Sequence, residues 1–321
     1  MKKMAKFIAF AMVCLLVLPV SALGKELIPV GQVIGLELRD NCVTVAGIDE
    51  VMGAKTKADA LAVGDRIETI DGRAVSSMED VRLALERSVG TVRMVIRRKG
   101  EKKTVSLTPE ITSQGPKLGV YLRQGITGIG TVTYYDPETK TFGTLGHGVN
   151  NASGQLLSLS QGNAYSARVV SLRKGVPGEP GQLMGAVESK TPIGTLTKNT
   201  ARGVFGTSEI GWDGKAVPVA AGNEVKTGSA TILSTVSGKE VREYSVEILK
   251  IYPKSKVNGR NLLLKVTDRE LLSTTGGIVQ GMSGSPIIQD GKLIGAVTHV
   301  LVNDPTTGYG IFIENMLDAA A

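Results

Sequence analysis

The sequence predicts a mainly β protein in two folded parts, an α+β module of about 80 residues followed by about 200 residues of short strands. Three observations carry this. The 321 residues exceed an ordinary single domain, and a composition of 42% hydrophobic and 21% charged residues is globular. Forty glycines stand singly or in pairs between short runs of Val, Ile, Leu and Thr, as turns between strands require. One early segment departs from this pattern: Val81, Ala84 and Leu85 repeat at helical spacing behind Ser76 and Glu79, which read as a capping box. Aromatic residues are only 4%, so the cores must be aliphatic.

The first 24 residues read as a signal peptide or signal anchor. Lys2, Lys3 and Lys6 precede an apolar run over residues 7–20, and Val20, Ser21 and Ala22 offer small residues for cleavage after Ala22. The run contains Pro19 and is shorter than the roughly 20 residues that span a bilayer comfortably. The expectation is an extracytoplasmic chain, secreted or held at the membrane by this segment. Cys14 lies inside the run and Cys42 is then alone, which leaves no intramolecular disulfide. With two histidines and one mature cysteine, no metal or cofactor site is read. The net charge of +7 is local, carried by the leader and by Arg93, Arg97, Arg98, Lys99, Lys102 and Lys103 on one predicted hairpin. Without interleaved aromatics this argues against nucleic acid and for a solvated face near an anionic membrane surface.

Residues 28–110 are expected to form the module. Residues 43–46 alternate as a strand, and two strands around Lys99 and Gly100 make a hairpin. Leu61, Gly64, Asp65, Ile67, Ile70, Asp71 and Gly72 resemble the PDZ domains of bacterial proteases. Such domains add a peptide as a strand beside a helix and hold its carboxylate on backbone N–H groups. By that resemblance Gly31, Gln32, Val33, Ile34, Gly35 and Leu36 are the peptide-binding loop.

Residues 111–116 read as a linker, and residues 117–321 as a strand-rich domain that fits two small barrels or a large sandwich. Its sharpest motif is Gly281, Met282, Ser283, Gly284, Ser285, Pro286. A serine hydroxyl attacks only when a base takes its proton and N–H donors hold the developing oxyanion. Flanking glycines let the N–H groups of Gly281 and Ser283 converge. The segment resembles the nucleophile loop of chymotrypsin-like peptidases, including the hairpin that follows it. His147, between Gly146 and Gly148 and well before the serine, fits the order base first, nucleophile last. His299, on the strand after the loop, is read as a cleft residue. For the third member the acids Glu179, Glu188, Glu209, Asp213 and Asp268 are the candidates. Asp268, fifteen residues before Ser283, ranks first. Thr298 or a plain Ser–His dyad are the alternatives.

The leader, the PDZ pattern, GTLGHGV at residues 143–149 and the whole of residues 275–317 resemble the SpoIVB peptidases of endospore-forming bacteria. The resemblance implies an extracytoplasmic serine endopeptidase in the space between the forespore membranes. It would cleave a regulatory membrane-protein partner, and itself, so that a sigma-factor precursor is processed. The competing readings are a PDZ-guided quality-control protease and a non-catalytic PDZ scaffold. Met282 before the nucleophile departs from digestive relatives, which carry an acid there.

Overall fold

The structure is a computed structural model that describes residues 24–151, 154–253 and 260–321. Apart from Gly24, the leader lies outside the described residues. Among the described residues no helix is long and apolar enough to cross a membrane.

Two closed six-stranded antiparallel barrels dominate. The second runs Gly228–Thr235, Val241–Ile251, Leu262–Val266, Asp304–Phe312, Lys292–Leu301 and Pro286–Gln289, and closes by pairing Ile288 and Ile287 with Thr231 and Ile232. Alternation along Val241–Ile251 puts Tyr244, Val246 and Ile248 inside, where they meet Ile232, Leu264, Ile287 and Val297. The first barrel runs Val33–Asp40, Ile126–Asp136, Thr141–Thr144, Gly203–Thr207, Gln182–Thr200 and Leu159–Arg173 before returning to Val33–Asp40. Ile34, Leu36, Leu38, Val132, Phe142 and Val204 fill it.

This topology corrects the boundaries expected from sequence. Residues 28–40 belong to the first barrel, not to the module. Val33–Asp40 satisfies its backbone groups between two barrel strands, with Leu36 opposite Gly128 on one side and Ala164 on the other. The α+β module is therefore an insertion, entered from one barrel strand after Asp40 and left at Arg123 into the neighbouring strand. Its sheet runs Val120–Arg123, Val43–Ile48, Arg66–Ile70, Val92–Arg98, Glu101–Leu107, so Val120–Arg123 is an edge strand. Residues 111–116 are not a free linker. They form most of a small hairpin, Glu110–Thr112 with Gly115–Lys117, inside the module.

Local chemistry explains the module's turns and helix. Asp71 with Gly72 and Lys99 with Gly100 all take positive φ, the geometry that matches the twist of tight hairpins. The capping box sits one residue later than expected. Ser77 accepts from the N–H of Asp80 at 3.1 Å, and the Asp80 carboxylate accepts from the N–H of Ser77 at 2.9 Å, opening Met78–Arg87. Val81, Ala84 and Leu85 face the core with Val45, Ile67, Met94 and Leu118. The basic hairpin is partly neutralised within the module: Arg98 pairs with Asp65 at 2.6 Å, and Arg97 and Lys102 with Glu68 at 2.7 and 3.2 Å.

The junction is bracketed by one side chain. Gln124 donates to the carbonyls of Asp40 (3.1 Å) and Ser76 (3.2 Å) and accepts from the N–H of Met78 (3.1 Å). It joins the end of a barrel strand to the start of the module's helix.

Candidate active site

The candidate site forms where the loop of residues 281–285 of the second barrel is fastened to Ile126–Asp136 of the first. Thr131 donates its N–H to the Ser283 carbonyl (3.1 Å) and its hydroxyl to the Gly281 carbonyl (2.8 Å), and the Thr133 hydroxyl donates to the Gly284 carbonyl (2.7 Å). Gly284, at φ +99°, cannot be anything else: a Cβ there would lie 2.0 Å from the Thr131 carbonyl oxygen. From the other side, Gly284 N–H donates to the Val297 carbonyl at 2.7 Å, and Met282 is fully buried in the second barrel. Among the described residues, neither the N–H of Gly281 nor that of Ser283 has an acceptor, whereas Gln280, Met282, Gly284 and Ser285 all donate within the fold.

His147 comes from the first barrel. Leu145 and Gly146 immediately before it both adopt left-handed backbone, at φ +69° and +67°. For a leucine this is a costly conformation, held here by a buried side chain. The turn aims the imidazole into a cavity of about 260 Å³ that Ser283 and Gly281 also line. His147 Nδ1 lies 2.9 Å from the carbonyl of Gly148, so Nδ1 is the protonated nitrogen and Nε2 keeps its lone pair. Burial holds the imidazole below the ordinary histidine range, against a weaker opposing pull from the Gly148 carbonyl. His299 packs beside it at a centroid separation of 5.2 Å with the rings tilted by 40°, and among the described residues its buried Nδ1 has no partner. Burial, then the neighbouring His147 and Arg260, push His299 down to about 4. Both rings are neutral at pH 7.

Ser283 and His147 thus share one cavity, but no hydrogen bond joins them in this arrangement. The Ser283 hydroxyl donates instead to the Thr298 carbonyl at 2.7 Å. Thr298 meets the site through this carbonyl, which the sequence does not announce, while its own hydroxyl reaches the Tyr309 carbonyl at 3.2 Å. Its methyl packs where a Cβ on Gly146 would fall, 2.8 Å away.

Asp268 is a correction. Its carboxylate caps the helix Arg269–Thr275, accepting from the N–H of Leu271 at 2.9 Å and of Ser245 at 3.5 Å. Among the described residues no carboxylate pairs with His147. Asp268→Ala should therefore cost about 1 kcal/mol of stability, the worth of a helix cap, with turnover of the folded protein unchanged within twofold. Asp268→Asn, which still caps, should leave both near wild type. Thermal melting beside steady-state assays of the two variants checks this, and a large loss of turnover in Asp268→Asn would restore a catalytic role.

The peptide-binding loop is also corrected. Gly31, Gln32, Val33, Ile34, Gly35 and Leu36 lie in or just before a barrel strand, where a Cβ on Gly31 would strike Leu233 at 2.7 Å and one on Gly35 would strike Val187 at 2.6 Å. The module's groove lies elsewhere, between the helix Met78–Arg87 and the edge strand Val120–Arg123. It encloses about 230 Å³ lined by Val81, Leu85, Leu118, Val120 and Leu122. Gly119, at φ +72°, makes the turn into that strand. The signal was present as an apolar residue, a glycine and then the alternation of Val120 and Leu122.

A competing nucleophile is ruled out by chemistry. The Cys42 thiol donates to the Asp40 carboxylate at 2.9 Å, and burial together with that carboxylate pushes it up to about 11.

Two barrels that bring a serine and a histidine to one cavity, with an α+β module inserted in one of them, have an arrangement that suits a serine peptidase. The chain belongs to the SpoIVB peptidase S55 family, which it matches over residues 114–317. Among solved structures it is similar to the PDZ domain of the SdrC-like protein of Listeria monocytogenes, at 27% identity over 26% of this chain and 87% of that one, with a TM-score of 0.22. It is also similar to the Rv3671c protease of M. tuberculosis. The active form gives 16% identity over 62% of this chain and 75% of that one (TM-score 0.37), and the inactive form 15% over 60% and 82% (TM-score 0.35). No curated protein sequence matches this chain.

Proposed function

We propose that this peptidase is a sporulation-signalling endopeptidase acting outside the cytoplasm, with Ser283 as nucleophile and His147 as general base. The observation that carries the catalytic assignment is the shared cavity: Ser283 and His147 enter it from different barrels, beside two free backbone N–H groups. Ser283 Oγ leaves the Thr298 carbonyl, gives its proton to His147 Nε2 and bonds to the scissile carbonyl carbon. The resulting oxyanion is held by the N–H groups of Gly281 and Ser283. His147 returns the proton to the leaving amine, and water then releases the acyl group by the same route. The Gly148 carbonyl fixes the tautomer, the job a carboxylate does in a triad, so the unit is a Ser–His dyad with a backbone orienter.

The base works only when neutral. Because burial lowers its pKa, activity should persist to lower pH than an unperturbed histidine with a pKa of about 6.5 allows, and be lost as pH falls through the lowered value. The rate of Ser283 labelling by a phosphonate, followed from pH 8 downward, should show a midpoint below about 6.5. A midpoint above 7 would contradict the burial argument.

Substrate choice is assigned to the groove between Met78–Arg87 and Val120–Arg123. An edge strand beside an apolar helix face suits an extended peptide, and Gly119 allows N–H groups to turn toward its carboxylate. Export by the leader, membrane association and self-cleavage complete the reading, supported by the family and by the leader's composition. The test is to incubate wild type and Ser283→Ala with the extracytoplasmic part of a sporulation membrane-protein partner and map the products by mass spectrometry. Serine-dependent cleavage at one or two bonds is expected. Indiscriminate degradation of unfolded proteins at the same rate would favour a quality-control role.

A further inference from the structure

The cavity beside Ser283 has a lining that the catalytic residues do not explain. Besides them it is walled by Leu36 and Leu38 from one barrel strand, Ile126 from the next, and Leu145 and Val149 on either side of His147. Among the described residues no charged side chain lines it. Its 260 Å³ falls just below the roughly 300–1,000 Å³ of ordinary small-molecule sites, which is room for one large side chain rather than a longer segment.

The register shows how the space is kept. Leu36 pairs with Gly128 and Leu38 with Ile126, so these four positions share one face. Gly130, two residues further along that face, is filled over by Leu145, whose Cδ2 would lie 2.3 Å from a Cβ there. Gly128 is different. A Cβ added to it meets nothing within 4 Å, and its φ is not in the left-handed region. Neither the backbone nor packing requires glycine at this position. What its missing side chain does is leave the cavity open.

Resting on the peptidase reading above, we propose that this cavity is the specificity pocket for an uncharged aliphatic side chain, such as Leu or Met, on a residue flanking the scissile bond, with Gly128 as the residue that admits it. An apolar side chain gains by leaving water for this lining, whereas a charged one would lose its hydration with no opposite charge to replace it, Gln280 being a neutral amide. The pocket is built by the two strands between which the PDZ module is inserted, so the insertion and the selectivity share one piece of scaffold.

The test uses the full chain and quenched peptides that vary one residue on each side of the cleaved bond. Wild type should show kcat/KM at least about tenfold higher for Leu or Met than for Asp or Lys at one of the two positions. Gly128→Leu should lower kcat/KM for the Leu and Met peptides by about tenfold or more while leaving Gly and Ala peptides within about threefold. Labelling of Ser283 by a small fluorophosphonate should be unchanged, and Gly128→Ala should fall between, carrying the test if the leucine variant is poorly folded. An unaltered profile in a labelled Gly128 variant, or a wild type with no aliphatic preference at either position, overturns the pocket. A wild type that neither cleaves any peptide nor labels at Ser283 overturns the peptidase reading itself, and the pocket with it.

Discussion

Ser283→Ala is expected to reduce peptide cleavage by about ten-thousand-fold or more, measured as kcat with any peptide the wild type cleaves. In the proposed mechanism the hydroxyl oxygen is the atom that bonds to the substrate, and no neighbour replaces it. Ser285 is held away by its bond to the Ser234 hydroxyl at 3.0 Å, and Cys42 remains a thiol inside its contact with Asp40. Folding should survive. The change removes one hydroxyl and one hydrogen bond to the Thr298 carbonyl, while the contacts that fix the loop, from Thr131, Thr133 and Val297, are made by backbone atoms of residues 281–284. A folded Ala variant that retains more than a few per cent of wild-type turnover would remove Ser283 from the mechanism.

His147→Ala should be as damaging as the serine change, and the double variant no worse than either, because the two groups act on one proton. His299→Gln should cost about tenfold or less, since that ring supports His147 by packing rather than by accepting the serine's proton. The same kinetic assay on all four variants decides it. Additive losses, or a His299 variant worse than the His147 variant, would mean that the wrong histidine has been given the proton.

The parts of this site legible in the sequence were those in which chemistry forces particular residue types together. A nucleophile loop needs glycines at close approaches, and Gly284 shows why, with the Thr131 carbonyl 2.0 Å from any side chain there. Only two histidines could serve as base, and the one before the serine lines the cavity. What was not legible is non-local. The alternation of Val33–Asp40 marks a strand but not its partners, and those partners lie at residues 126–131 and 159–166, beyond the inserted module. The spacing of Asp268 from the serine suits a catalytic acid. Its local role was equally written, as an acid directly before a helix rich in leucine, and capping is where its oxygens go. Carbonyls are anonymous in sequence, so the Thr298 oxygen that accepts from Ser283 and the Gly148 oxygen beside His147 Nδ1 emerge only from the fold.

The most direct test of the central claim, that a serine and a histidine from two barrels form one reactive unit, is the covalent mapping of a fluorophosphonate on the full chain. After brief exposure at neutral pH, peptide mass spectrometry of the wild type should place the adduct on Ser283, and the His147→Ala chain should acquire it at least about a hundredfold more slowly. An adduct on a different serine, or Ser283 labelled equally fast without His147, would contradict the account.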